Sequence, residues 1–373
     1  MSKRKNLLRA AALVAALPLA LAGCAANEQA TPDTSTEGAE SGAVSSAISG
    51  IYSGAGASSQ EAAQASWVAA FQTANPDVTI NYNPVGSGAG RKQFIEGAVA
   101  FAGSDSYLSE DELTSTFTPC AADTDVLSLP VYISPIAVAF NLEGVDALNL
   151  DAETIAAIFK GSITSWNDAA IVALNPGTEL PEQPITVVYR SDDSGTTKNF
   201  AAYLSDNADT IWDAEPEDKF PYSFAGAEGA QGTSGVVQAI SAGTGTIGYA
   251  DASKVADLAT VALRVGNEFV PYSAAGAAKV VEVSPVVEGR STHDIAIDLD
   301  RTTTESGSYP LVLISYLLVC QQYEDPATAE FIKAYAGYIV SPEGQQAAAA
   351  GAGSAPLSEA TTTKVVESID SIG

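Results

Sequence analysis

Arg190 ends a β-branched run, Ile185-Thr186-Val187-Val188-Tyr189, and the turn Ser191-Asp192-Asp193-Ser194-Gly195-Thr196 leads from it into Thr197-Lys198-Asn199-Phe200. Strand, Ser/Gly/Thr turn and helix start in that order bring a guanidinium, two hydroxyls and unpaired N–H groups to one spot. Such a spot favours a small oxyanion. The neighbouring Asp192 and Asp193 are placed to pair with the arginine and hold its fork. The same residues also satisfy a plain helix N-cap, which needs no ligand.

Two further segments share this grammar. In Ser53-Gly54-Ala55-Gly56-Ala57-Ser58-Ser59-Gln60-Glu61 a glycine-rich turn runs into Ser58-x-x-Glu61, a capping box. Trp67, Val68 and Phe71 follow at helical spacing, so a helix is expected from about Ser58. In Val85-Gly86-Ser87-Gly88-Ala89-Gly90-Arg91 a second such turn follows the strand-like Val78-Thr79-Ile80-Asn81-Tyr82. Three strand–turn–helix units thus offer three sets of free N–H donors. None is a nucleotide motif: Gly54-x-Gly56 has Ser59 where a dinucleotide fingerprint needs glycine, and no Gly-x-x-x-x-Gly-Lys-Ser/Thr occurs.

Catalytic constellations are thin. The sole histidine, His293, stands in Ser291-Thr292-His293-Asp294 without metal-ligand spacing, and a surface or capping role is expected for it. There is no Gly-x-Ser-x-Gly elbow and no Cys/His cluster for zinc. Carboxylate pairs such as Asp192-Asp193 are common in so acidic a chain. No catalytic residue, metal or cofactor is therefore expected. The formal net charge of −28 argues against nucleic acid and anionic membrane surfaces as partners. It does not exclude an anionic ligand, because surface charges beyond about 8 Å are screened while a closed pocket feels mostly its own dipoles and arginine.

The elements that must position these residues begin with a leader. Lys3, Arg4, Lys5 and Arg9 precede the apolar Ala11–Ala22, and Leu21-Ala22-Gly23-Cys24 matches a bacterial lipobox. A signal peptide over 1–23 and lipidation of Cys24 are expected, with an ordinary signal peptide and a chance cysteine as the alternative. Residues 24–46, rich in Ser, Thr, Ala, Gly and acids, read as a disordered tether. No other stretch is a candidate membrane span. Cys120 and Cys320 remain, and an even pair in an oxidising compartment points to one disulfide, against two separate buried thiols. It would close a loop of about 200 residues, worth roughly 5 kcal/mol in the chain-entropy model.

About 325 residues are left, enough for two domains. Strand-like Val126–Val131, Ile136–Phe140, Ile185–Tyr189, Thr246–Ala250 and Leu311–Leu318 alternate with helical runs. Among these, Asp151–Phe159 has Asp151 as N-cap, Ile155, Ile158 and Phe159 as apolar stripe, and Gly161 as stop. Pro326–Val340 and Pro342–Ala350 are the later helices. This alternation predicts an α/β fold.

On these residues the chain resembles the PstS-like phosphate-binding receptors of bacterial ABC-type phosphate importers. The similarity runs in order through Gly54-Ala55-Gly56-Ala57-Ser58, Gly86-Ser87-Gly88 and Phe101-Ala102-Gly103-Ser104-Asp105. It continues through Ile158-Phe159-Lys160-Gly161-Ser162-Ile163-Thr164-Ser165-Trp166-Asn167-Asp168, Leu174-Asn175-Pro176-Gly177, Arg190 to Thr196, and Gly245-Thr246-Ile247-Gly248-Tyr249. The block from Ile158 to Asp168 is the most specific. One departure stands out: the family often has Thr-Phe where Ser58-Ser59 stands here.

The resemblance implies a two-lobed periplasmic-binding-protein-like fold with two hinge crossings and the ligand in the cleft between the lobes. Lobe I would combine 47–133 with 308–373, and lobe II would be 134–307, which places Cys120 and Cys320 in one lobe. The implied phosphate contacts are Ser58, Ser59, Ser87, Asp105, Arg190, Ser194, Gly195 and Thr196, with Asp192 behind the arginine. An ionised Asp105 only accepts hydrogen bonds, so it needs a ligand that keeps a proton near neutral pH. Phosphate does and sulfate does not; on its own, Asp105 reads equally as a turn or N-cap residue.

The implied protein is a monomer, lipid-anchored on the outer face of the cell membrane, that closes on phosphate and passes it to membrane permease subunits. Two alternatives stay open. One is a secreted phosphatase with Ser194 as nucleophile and Arg190 on the phosphoryl group; the other is a receptor for another tetrahedral oxyanion such as sulfate.

Overall fold

The computed structural model describes residues 48–255 and 257–373. The expected leader, Cys24 and tether lie outside the described residues. The chain opens with β1 (Gly50–Gly56), α1 (Glu61–Ala74), β2 (Val78–Asn83), α2 (Ser87–Ile95), β3 (Phe101–Ser104), the short α3 (Glu110–Leu113) and a long β4 (Val126–Asn141). Then follow β5 (Ala147–Leu150), α4 (Ala152–Phe159), α5 (Ala169–Leu174), β6 (Thr186–Arg190), α6 (Gly195–Asn207), β7 (Ala227–Ala230), α7 (Gly232–Ala242) and β8 (Thr246–Asp251). The remaining elements are β9 (Ala259–Val265), β10 (Glu268–Val270), α8 (Ala274–Val283), β11 (Val312–Cys320), α9 (Pro326–Val340), α10 (Pro342–Ala352) and α11 (Glu359–Asp370).

The strands join in the order β2-β1-β3-β11-β4-β8-β6-β7, and β9 attaches to β4 while pairing with β5 and β10. β1 runs parallel to β2 and β3, and β6 runs parallel to β7 and β8. Between these two parallel sets lie the antiparallel β11 and β4. β4 serves both sides: Val126–Pro135 pairs with β11, and Ile136–Asn141 pairs with β8. The sequence predicts two strands here, and the structure has one. Pro130 and Pro135 read as breaks. Pro130, however, sits beside a register shift against Ser315/Tyr316, and Pro135 lies where the partner strand changes, so the ladder tolerates both missing N–H groups.

Local signals explain most helix ends. Asp151 accepts from Thr154 N at 2.9 Å, and Gly161 takes the positive φ of +78° beyond α4. Ile155, Ile158 and Phe159 are fully buried, each contributing roughly 2 kcal/mol by area. Ser341 ends α9 and caps α10 through Gly344 N at 3.1 Å, with Pro342 in the first turn where a missing N–H is harmless. α10 runs to Ala352, two residues past expectation, and Gly353 closes it at φ +65°. Trp166, from the motif block that best supports the resemblance, is buried and donates to Gly245 O at 3.1 Å. Two family motifs thus hold each other and shape the base of β8.

Cys120 and Cys320 are joined, with Cα atoms 5.3 Å apart. The bond ties the segment before β4 to the end of β11, so the two-thiol alternative is set aside.

Candidate functional site

β6 delivers Arg190 to a buried position, 3% exposed, and α6 begins five residues later. Its Nε donates to Asp192 Oδ1 at 2.8 Å and its Nη2 to Asp192 Oδ2, a two-pronged pairing that leaves the outer face of the fork to other partners. Asp192 Oδ1 also accepts from Gly232 N at 3.0 Å, at the start of α7. Burial pushes the Asp192 carboxyl up, but the hydrogen bonds and charge of Arg190 outweigh it and hold the group below the ordinary value. Asp193 is exposed and turns toward Lys219 at 3.8 Å. Behind the arginine, Tyr249 OH meets Thr197 Oγ1 at 2.7 Å and accepts weakly from Arg190 N at 3.4 Å.

Asp105 follows β3 and is 3% exposed. Its Oδ1 accepts from Ser59 Oγ at 2.5 Å and Ser315 Oγ at 2.6 Å; its Oδ2 accepts from Thr196 Oγ1 at 2.9 Å. Its own N–H donates to Ser87 Oγ at 3.1 Å, and its carbonyl accepts from Asn199 Nδ2 at 2.7 Å. Burial raises the Asp105 carboxyl; hydrogen bonds from Ser315, Ser59 and Thr196 and the charge of Arg190 oppose it without cancelling it. Arg190 Nη1 reaches Thr196 Oγ1 at 3.5 Å, so one threonine stands between the cation and the carboxylate.

Of the other expected residues, Ser59, Ser87, Gly195 and Thr196 lie against Asp105, and Ser194 caps the helix that carries the last two. Ser87 is the first residue of α2 and Gly195 the first of α6; Ser194 Oγ caps α6 by accepting from Thr197 N at 3.2 Å. Gly195 is dictated by space, since a Cβ there would lie 2.6 Å from Ser87 Oγ and 2.7 Å from Asp105 Cβ. Helix starts therefore face one another, each presenting N–H groups and positive dipole ends.

Ser58 departs from expectation. No capping box forms: α1 starts at Glu61, and Gln60 precedes it without a side-chain cap. Ser58 Oγ instead accepts from Thr233 N at 3.0 Å and shares a hydrogen bond with Thr233 Oγ1 at 2.9 Å, satisfying a free N–H of α7. Glu61, released from capping, accepts from Ser234 Oγ at 3.2 Å and pairs with Lys254 at 3.3 Å. Sequence reasoning also missed Ser315, Asn199 and Thr233. Ser315 had a signal: it is the one serine in Val312-Leu313-Ile314-Ser315-Tyr316-Leu317-Leu318-Val319, a strand buried throughout. Asn199 and Thr233 had none, because their partners lie 94 and 175 residues away.

Among the described residues no group of three or more His, Cys, Asp or Glu is arranged to hold a metal, and no helix is long and apolar enough to cross a membrane.

The PBP superfamily domain matches residues 31–343. Over 324 residues the chain is 34% identical to phosphate-binding protein PstS 2 of Mycobacterium tuberculosis, an alignment covering 85% of this chain and 86% of that protein. The chain belongs to the PstS family of phosphate-binding proteins. A second PstS relative, phosphate-binding protein PstS 3 of Mycobacterium leprae, is 37% identical over 288 residues, covering 75% of this chain and 76% of that one. Among solved structures, the high-affinity periplasmic phosphate-binding protein PfluDING, bound with phosphate, superposes with a TM-score of 0.69 at 26% identity, over 85% of this chain and 93% of its own. The phosphate-binding protein from Stenotrophomonas maltophilia shares the fold, with a TM-score of 0.65 at 19% identity over 86% and 94% of the two chains. As a PstS chain it has the mixed α/β fold of the two-lobed periplasmic phosphate-binding proteins.

Proposed function

We propose that this chain captures inorganic phosphate outside the cell membrane and delivers it to the membrane subunits of an ABC-type phosphate importer. The observation that carries the reading is the placement of Asp105 and Arg190 on opposite sides of Thr196. A cation and helix-start amides suit any tetrahedral oxyanion. The carboxylate does not: it repels an anion unless the anion has a proton to donate. Phosphate has one near neutral pH and sulfate has none, so Asp105 favours phosphate over the sulfate alternative. Ser58, Ser59, Ser87, Ser194, Gly195 and Thr196 supply the neutral donors, and Asp192 keeps the guanidinium in place.

In this reading, 47–133 with 308–373 form lobe I and 134–307 form lobe II, and binding is completed by closure of one on the other. The hydrogen bonds of Thr196 and Asn199 to Asp105 and of Ser58 to Thr233, together with the ion pair of Arg91 and Asp218, would then cross the cleft. The receptor acts as a lipid-anchored monomer, held near its permease through Cys24, and carries out no reaction itself. The phosphatase reading lacks support because the Ser194 hydroxyl, which accepts from Thr197 N, has no hydrogen bond to a base among the described residues.

Thermal denaturation with added anions tests the proposal. Phosphate should raise the melting temperature with concentration as mass action requires, while sulfate should leave it near the unliganded value. Equal shifts from both would remove the argument from Asp105.

A further inference from the structure

A buried polar chain reaches Asp105 from inside the protein. Tyr335 OH on α9 donates to Gln64 Oε1 at 2.8 Å, and Gln64 Nε2 on α1 donates to Gln60 Oε1 at 2.9 Å. Gln60 Nε2 donates to Ser315 Oγ at 2.7 Å, and Ser315 Oγ lies 2.6 Å from Asp105 Oδ1. Tyr335, Gln60 and Ser315 are fully buried and Gln64 nearly so, so these groups have no water to turn to.

The direction of the chain follows from one backbone atom. Gln60 Nε2 also lies 3.0 Å from Tyr316 O, and a carbonyl oxygen can only accept. The amide nitrogen must therefore face Ser315, whose oxygen accepts from Gln60 through one lone pair and which has a single hydrogen to give. Its remaining partner is Asp105 Oδ1. The register shift between β11 and β4 falls at Ser315/Tyr316, and such bulges re-aim side chains next to binding sites. Tyr316 pairs with Pro130, which has no N–H to offer, so its carbonyl is open to Gln60.

We propose that Ser315 is the positioning residue that commits Asp105 to accepting, and thereby sets the preference for an anion carrying its own proton. The inference rests on phosphate being the ligand. Ser59 and Thr196 also donate to Asp105, but both stand on helix-start turns expected to face the anion and can turn to it. Ser315 cannot, because Gln60 fixes it from behind. The charged and titratable groups around Asp105 are Arg190 on β6, Tyr82 on β2 and Asp251 on β8. Only Arg190 favours the ionised carboxylate by charge, so the Ser315 hydrogen bond matters for keeping it an acceptor.

The test is calorimetric titration of the mature protein with inorganic phosphate and with sulfate from pH 5 to 8, for wild type, Ser315→Ala and Ser315→Thr. Loss of the hydroxyl should let Asp105 hold a proton at higher pH. The pH below which phosphate affinity falls should then move up by about one unit, and phosphate-over-sulfate preference near pH 5 should drop about tenfold. Ser315→Thr should restore the wild-type profile. A uniform loss of affinity at every pH with unchanged selectivity would mean a packing role only and overturn the proposal, as would superposable profiles. If Ser315→Ala does not fold, Ser315→Cys keeps the volume with a weak donor and should shift the profile the same way; an unshifted profile there rejects the proposal. Absence of phosphate binding by wild type would defeat the phosphate reading itself, a separate outcome.

Discussion

Arg91 Nη2 lies 2.5 Å from Asp218 Oδ2, and both side chains are largely buried. Arg91 is further held by Glu112 at 2.6 Å and by Ser104 Oγ at 3.1 Å, beside Asp105. Asp218 O in turn accepts from Ser194 N at 2.9 Å, at the start of α6. The pair thus links α2 to the α6 turn by a route that bypasses the anion. In the two-lobe reading it is a clasp across the cleft.

The clasp should matter to closure more than to folding. Asp218→Ala leaves Arg91 with Glu112 but removes the cross-cleft charge pair. Phosphate affinity should fall by roughly 30-fold or more, in line with truncating one partner of a buried pair. Calorimetry checks this, and an affinity within twofold of wild type would assign the pair to a structural role.

Gly195 offers a steric test of the same contact. A methyl group at this position must displace Ser87 Oγ or Asp105 Cβ, each less than 3 Å from it. Gly195→Ala should weaken phosphate binding by about 5- to 150-fold, because overpacking of roughly one to three kcal/mol falls on the site itself. Unaltered binding by titration would show that the helix start can back away at no cost to the anion.

Asp251 should leave a signature in stability against pH. It is fully buried and pairs in register with Ile136 of β4, and its Oδ1 accepts from Tyr132 OH at 3.1 Å and from Ser253 N at 3.0 Å. Burial pushes its carboxyl up to about 6. The folded protein therefore holds this proton where the unfolded chain has lost it, and stability falls as pH rises from about 4 to about 6. Asp251→Asn should be more stable than wild type near pH 7 by on the order of 2–3 kcal/mol, with the gap closing toward pH 4. Denaturant melts across that range read the gap directly; parallel curves would contradict the assignment.

Much of this was legible in the sequence, and the gaps have physical causes. The caps Asp151 and Ser194, the Pro326 and Pro342 helix starts and the Arg190 turn are local signals, and local hydrogen bonds realise them. β4 reads as two strands in the sequence because it is buried on both faces and carries two prolines, so neither alternation nor propensity marks its continuity. Ser58 misled because a capping box and a contact to α7 draw on the same oxygen, and only the distant Thr233 decides between them. The candidate site is read from chemistry and resemblance together, while its inner support through Gln60 and Ser315 depends on pairing between segments 255 residues apart.

Asp105→Asn, titrated calorimetrically at pH 7.5, shows whether Asp105 reads a proton on the bound anion. An amide of the same shape can donate as well as accept, so phosphate should lose at least tenfold in affinity while sulfate binding rises to a measurable level. An Asp105→Asn protein that still binds phosphate as wild type does and still ignores sulfate would mean that Asp105 does not select by that proton.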